Sequence, residues 1–514
     1  MKKLLSLLIL ATLTVTVHAQ SATELTLENA IAQSLENNLD IQISQLSYQA
    51  SREDVTGARG IYDLQFNLDT SYSNYEQPSA SQITASKSRR FSMTAELSQL
   101  VFTGGTVSLA LDSGKTSSPG FSYYSFSPEY TSVGQIRFDQ PLLRNFGRDE
   151  TEYQIRLNKK YSERAFEDYR ANVMNLISDT ESAYLDLVYS FQNLLVAKES
   201  LKLAEDQFDI TKKKVDVGTL APVDQLQAEA NLADARQKLV SAENLVYAAN
   251  DLIKRIMNID RDKWDVQFEP SSLSLEDFRD YEAQECVTAA LENSPSIRRA
   301  KIDLNVSELA LEHNRNQKKP QLSAFALLQY RGNNAVVVTD PITGEPVIDP
   351  ITGDVQVMPG NYGDAFSDMT GLDNQSYSIG INLSIPIQNR ARRTAYMKAK
   401  LDKSSSELSL ENTITQVTND VRDALRNLDS SQRSIEAAGK TRELREKNLE
   451  IEKKKFVNGM STNFLVSQRE EELAQARISE LNARISYRKS LVALRQAMGV
   501  LLEDRHIKLE NGDN

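Results

Sequence analysis

Apolar residues recur along this chain with two different periods, and the period switches at matching points of two successive halves. From residue 26 to 58 the positions Ala30, Ile31, Leu35 and Leu39 keep helical spacing. Alternation follows: Leu64, Phe66 and Leu68 are interleaved with Gln65, Asn67 and Asp69. A period of two with one apolar and one polar face predicts a strand that meets a different solvent on each side. The same alternation returns at Val107, Leu109 and Leu111, at Ile136 and Phe138, at Leu322, Ala324, Ala326 and Leu328, and at Ile379, Ile381, Leu383 and Ile385. A further hairpin is expected over residues 91–102 and 106–113, joined at Gly104-Gly105.

Heptads then take over. From about residue 148 to 215 the residues Tyr169, Val173, Leu176, Thr180, Tyr184, Leu187, Phe191, Leu194, Leu201 and Phe208 follow one seam, and Ile177, Val188 and Leu195 follow a second. A helix of ~68 residues is a rod of roughly 100 Å, and two seams imply a neighbour on each side. The return helix, 223–257, carries Leu232, Leu239, Val246 and Ile253 one heptad apart. In the second half, helices over 391–456 and 464–498 keep register through Val421, Leu428, Ile435, Leu449 and Phe456. Arg442 interrupts that seam and reads as a snorkelling side chain.

The ends of the two long helices are near-copies. Lys212-Lys213-Lys214-Val215-Asp216-Val217-Gly218 returns as Lys453-Lys454-Lys455-Phe456-Val457-Asn458-Gly459, 241 residues later. Leu35-Glu36-Asn37 matches Leu291-Glu292-Asn293, Ile41 matches Ile297, Gln140-Pro141 matches Ile385-Pro386, and Met257 matches Met498. The chain is therefore two copies of one unit: helix, strands, long helix, tight turn, long helix. Pro141 and Pro386 mark the switch from strand to helix in each copy. The expected division is residues 20–270 for the first copy (strands about 62–140, hairpin about 147–257), 271–505 for the second (strands about 320–386, hairpin about 390–498), and a tail over 506–514. Residues 258–283 are read as a connector packed outside the rods, and 332–375 as an irregular loop. Its Asp340-Pro341-Ile342-Thr343-Gly344 and Asp349-Pro350-Ile351-Thr352-Gly353 are read as solvated turns rather than a calcium site.

Composition narrows the compartment. Lys2-Lys3, an apolar run from Leu4 to Val17 and Val17-His18-Ala19 read as a secretory signal over residues 1–19, with the mature chain beginning near Gln20. No cysteine follows at the cleavage point, so acyl anchoring is not indicated. Beyond that segment no apolar run reaches the ~20 residues of a membrane-spanning helix, which leaves room for a β-barrel whose strands need only about ten. Tyr72, Tyr75, Phe91, Tyr123, Tyr124, Phe126, Tyr130 and Tyr330 cluster where strands end, as an aromatic girdle would. A formal net charge of −12 argues against a nucleic-acid partner. One cysteine, Cys286, and three histidines leave neither a disulfide framework nor a His/Cys metal site. No catalytic, cofactor-binding or phosphate-cradling constellation emerges, so neither a cofactor nor an enzyme activity is expected.

These features, with the tip Val217-Gly218-Thr219-Leu220-Ala221-Pro222-Val223-Asp224, resemble the TolC-type outer-membrane efflux family over essentially the whole mature chain. The expected class is mainly α with membrane β-barrel strands, built on the duplicated unit. The resemblance implies a homotrimer with an α-barrel in the periplasm and a β-barrel among the lipids of a Gram-negative outer membrane. It further implies a periplasmic adaptor and an inner-membrane pump of RND or ABC type as partners. In such proteins the hairpin tips meet the adaptor and close the periplasmic entrance. The matching residues are Val217, Gly218, Thr219, Leu220 and Ala221, with Asn458, Gly459, Met460 and Ser461. The two glycines also read as helix C-caps, and both roles are compatible. The chain departs from the family where aspartates often follow the second tip, since Leu465 and Gln468 stand there. Asp224 keeps the corresponding place in the first copy, and Glu470-Glu471-Glu472 is either a substitute acidic ring or a solvated face. Gate candidates are thus Asp224, Gln468, Glu471 and Glu472. If the added hairpin enters the barrel a trimer has about eighteen strands, otherwise about twelve. The function expected is a passive exit duct for small molecules, the alternatives being an outlet for type I protein secretion and a pore-less periplasmic coiled-coil scaffold.

Overall fold

The computed structural model describes residues 23–76, 78, 87–118, 128–271, 280–338, 340, 345–351 and 353–509. The first copy runs β1 (Thr23–Leu25), α1 (Leu27–Asn37), α2 (Leu39–Arg59), β2 (Gln65–Glu76), β3 (Lys87–Leu100), β4 (Thr106–Ser117), β5 (Glu129–Pro141), α3 (Arg148–Thr151), α4 (Tyr153–Asp216), α5 (Pro222–Ile256) and β6 (Phe268–Pro270). The second runs α6 (Ala283–Asn293), α7 (Pro295–Gln317), β7 (Gln321–Asn333), β8 (Ala335–Val337), β9 (Val357–Pro359), α8 (Tyr362–Thr370), β10 (Gln375–Ser384), α9 (Arg390–Val457), α10 (Asn463–Met498) and α11 (Leu501–Asp504). The signal segment, Tyr123, Tyr124, Phe126, Pro341 to Gly344, Thr352 and the end of the tail lie outside the described residues. No helix among the described residues is long and apolar enough to cross a membrane.

Two compact units cut across the two copies. One is helical and comprises residues up to Tyr48, Ala165–Ala300 and Leu410–Asn514. Its duplication is visible in the packing. One core gathers Ile31, Ile41, Ile177, Tyr184, Leu187, Ile253 and Met257 from the first copy, and another gathers Cys286, Ile297, Val421, Leu428, Leu491 and Met498 from the second. Leu195, placed on the second seam by its spacing, is exposed. Arg442 does not merely snorkel: it pairs with Glu480 of α10 and Glu446 of its own helix. The connector contains a strand that its composition did not reveal. β6 pairs in parallel with β1, and the Asn250 amide clamps Phe268, accepting from its N–H at 2.8 Å and donating to its carbonyl at 3.3 Å.

The opening helix expected to be continuous over 26–58 is broken at Asn38. There the Asn38 side chain accepts from the N–H groups of Asp40 and Ile41 and starts a second helix. The second copy breaks at the equivalent place, Ser294, where Pro295 opens α7.

The other unit, Gln49–Arg164 with Lys301–Ser409, holds a six-stranded antiparallel sheet in the order β10-β7-β5-β4-β3-β2. The hairpin β3–β4 is paired on both sides, β4 with β5 and β3 with β2, so it lies inside the sheet. Register puts Phe66, Leu68, Leu97, Val107, Leu109, Ile136, Phe138, Leu328, Ile379, Ile381 and Leu383 on one face. Most of these side chains are exposed, Ile379 at 78% and Ile381 at 72%. The opposite face is polar and internally bonded. Thr94 donates to Asp112 at 2.6 Å, Gln135 donates to the same carboxylate at 3.1 Å, and Gln329 donates to Gln135 at 3.0 Å. Of the described aromatic strand-end residues, Tyr72, Phe91, Tyr130 and Tyr330 sit on the apolar face, while Tyr75 is on the polar one. Residues 332–375 are not simply irregular, because they contain the β8–β9 pair and α8.

Candidate functional site

Each long hairpin turns through a glycine in the left-handed region, Gly218 at φ +78° and Gly459 at φ +72°. An L side chain there is strained, and an added Cβ would meet nothing within 4 Å. At the first tip the Thr219 N–H and hydroxyl both donate to the Lys214 carbonyl at 2.8 Å, closing the end of α4. At the second, Met460 N–H donates to the Lys455 carbonyl at 2.9 Å, and the Asn458 side chain donates to the Lys454 carbonyl at 2.9 Å. The Ser461 hydroxyl donates to Glu452, which holds that carboxyl below its usual range. Lysines in the last turns of α4 and α9 face the negative ends of those helices.

The tips present apolar surface. Val217, Val223, Leu226, Val457, Met460 and Phe464 are all exposed, Val457 at 83%. Near the tips, Asn463 and Lys214 link the two hairpins in ways that the sequence did not announce. Asn463 donates to the Thr211 hydroxyl at 2.7 Å, with both residues buried, and the Lys214 ammonium lies 4.3 Å from the Phe456 ring centroid. A polar Asn directly after the Thr462 cap is a weak signal of such a contact; nothing in the heptads pointed to Thr211.

The four gate candidates occupy three settings. The Asp224 carboxylate accepts from the Ala221 N–H at 3.1 Å and so caps α5. Gln468 and Glu471 line a groove of 710 Å³ between α4, α5 and α10, together with Ala197, Ala228 and Lys238. Glu471 pairs with Lys238 of α5 at 2.6 Å, whereas Glu472 is held by Arg445 and Arg469 and Glu470 by Lys453. Within a single chain, then, the acidic run is engaged by cations at every position. Lys238, the residue joining α5 to α10, was missed because its partner lies 233 residues away.

A family model described as outer membrane efflux protein matches residues 122–258 and 286–500, more than half of the chain. Outer membrane protein TolC of Vibrio cholerae serotype O1 is 23% identical over 350 residues, covering 67% of this chain and 72% of that protein. The CmeC outer membrane channel of Campylobacter jejuni has a similar fold, with a TM-score of 0.63 at 16% identity over 92% of this chain and 85% of that one. The outer membrane protein VceC of Vibrio cholerae gives 0.64 at 12% identity, over 92% and 96%.

Proposed function

The chain belongs to the outer membrane efflux protein family, and from that premise we propose that three copies form one duct through which a periplasmic adaptor and an inner-membrane pump expel small molecules. It is a channel protein of the Gram-negative outer membrane with a helical periplasmic extension, not an enzyme. The observation that carries the duct is the six-stranded sheet, apolar on one face, polar on the other, and, among the described residues, open at both edges. Lipid offers no partner to the free backbone groups of β2 and β10, so copies must pair edge to edge. The order alternates in direction from β10 to β2, so an even number of strands lets each copy continue its neighbour antiparallel. Three copies then close an eighteen-stranded barrel. The exposed apolar residues of the tips support adaptor docking at Val217–Ala221 and Asn458–Ser461. The Lys238–Glu471 pair supports a periplasmic entrance whose opening moves α5 against α10.

The test is conductance across a planar bilayer, combined with cysteine pairs scanned along β2 and β10. Steady ion passage and a covalent three-copy ladder are expected. Asp224→Ala removes the cap on the first tip and should raise conductance; an unchanged value excludes Asp224 as a latch. Absence of both current and inter-copy links would overturn the duct.

A further inference from the structure

Helix α8 lies across β5 and β7 on the face that carries Ile136, Phe138 and Leu328, the lipid side of the sheet. The seat is built for it. A Cβ at Gly332 would stand 2.0 Å from the Ala365 carbonyl oxygen and 2.4 Å from the Met369 nitrogen, and one at Gly134 would stand 3.2 Å from Met369 Sδ. Ala365 and Met369 are buried there. Tyr362 meets Tyr130 edge to face at 4.4 Å, Asp368 accepts from the Asn333 N–H at 3.0 Å, and the buried Asn334 ties the Tyr130 N–H to the Gly360 carbonyl.

Beside the helix, over β4 and β3, this seating leaves a cleft of 370 Å³ lined by Phe91, Met93, Leu111, Tyr362 and Phe366, with Ser113 and Ser132 at its floor. The Tyr362 hydroxyl is buried and has no hydrogen-bond partner among the described residues. One step further along the same face, away from the helix-joined end of the strands, stand two cations. Lys115, opposite Phe91, lies 5.2 Å from the Tyr130 ring centroid, and exposed Arg89 follows opposite Ser117. Three carboxylates stand nearby: Glu76 holds Lys87 at 2.6 Å and feels Arg89 more weakly, Asp364 caps α8, and Asp368 binds Asn333.

An apolar cleft open to the bilayer core beneath a pair of cations matches a molecule with acyl chains and a phosphate-bearing headgroup. We infer that the cleft between α8 and strands β3–β4 binds an anionic phosphate-bearing lipid of the outer leaflet, its acyl chain against Phe91, Met93 and Phe366 and its phosphate at Arg89 and Lys115. Aromatic side chains and α8 at this level also suit the boundary between hydrocarbon and headgroups. The inference rests on the outer-membrane placement of the sheet.

Full-length protein in phosphatidylcholine nanodiscs doped with diphosphorylated lipid A, with bound lipid counted by native mass spectrometry, tests it. Wild type should retain lipid A in preference to phosphatidylcholine. Replacing both cations (Arg89→Gln with Lys115→Gln) should lower that preference roughly tenfold or more, at about 1 kcal/mol per cation near an anionic surface. Filling the cleft with Ser113→Trp should abolish it, while Arg90→Gln, on the opposite face, should not change it. Equal retention of both lipids by wild type, or undiminished preference in both altered forms, overturns the site. Binding of inorganic phosphate without retention of lipid overturns it as well. Wild type that conducts in a bilayer yet shows no lipid preference refutes this site alone, whereas wild type that neither inserts nor conducts refutes the membrane reading beneath it.

Discussion

The two hairpins share their length and their turn but not the chemistry that holds them together. Buried positions of α5 in the first include Ala228, Leu232, Ala235, Ala242, Val246, Ala249 and Ile253, the last two sharing one core with Val173 and Leu187 of α4. In the second, the stretch nearest the tip has a core of only Leu449, Val466 and Leu473 with Phe456 against it. Alongside run Arg442–Glu480, Arg445–Glu472, Arg469–Glu472 and Lys453–Glu470. Register between two long helices can thus be set by the fit of small side chains or by matched charge. What both copies keep is a backbone requirement, a glycine at positive φ where the chain reverses.

That contrast can be broken at several points. Leu187→Ala in the first hairpin should cost about 3 kcal/mol, read as lost hydrogen-exchange protection along α4, and the loss should not depend on salt. Glu480→Gln in the second should cost about 1–2 kcal/mol, because the charge-assisted bonds of Arg442 and Arg484 are lost but both arginines are partly solvated. Its cost should shrink as KCl is raised; a salt-independent cost would show that packing, not charge, holds α9 to α10. Gly218→Ala and Gly459→Ala should each cost about 1–2 kcal/mol from strain alone, with asparagine milder in both. A clear inequality between the tips would reveal a contact made by only one of them. The smallest effect belongs to the exposed triad Lys440–Glu443–Lys447. Hydrogen bonds from its two lysines lower Glu443 from 4.5 to about 2. A depressed carboxylate contributes above its unfolded value and loses that contribution as pH falls toward about 2. Carboxyl carbon shifts should therefore show Glu443 still ionised at pH 4, and a midpoint near 4.5 would remove the triad from the account.

Alternation and heptads were legible because each is written within one stretch of chain. Strands at Leu64–Leu68 and Ile379–Leu383, the strand-ending Pro141 and the turn glycines needed no knowledge of what lay opposite. The β1–β6 pair was hidden because three residues cannot establish a period. Helix α8 has one buried turn, Ala365 and Met369, and its start is marked only by the Asn361–Asp364 capping pair. Tyr75 looked like part of the girdle because its face depends on register with β3. At the candidate site the tips could be read directly, while Lys238–Glu471 and Thr211–Asn463 join residues far apart in sequence and leave no local trace.

The β3–β4 hairpin adds girth without altering anything downstream. It comes down from the far end of the sheet, turns at the helix-joined end beside Pro141 and goes back up, so β5 still descends into Pro141 as it would had the pair been missing. In a closed assembly of three such chains, circumference grows with strand number, and six extra staves widen the mouth by roughly half. In the proposed duct, strand number and helix number are consequently set by separate stretches of polypeptide, each free to change alone.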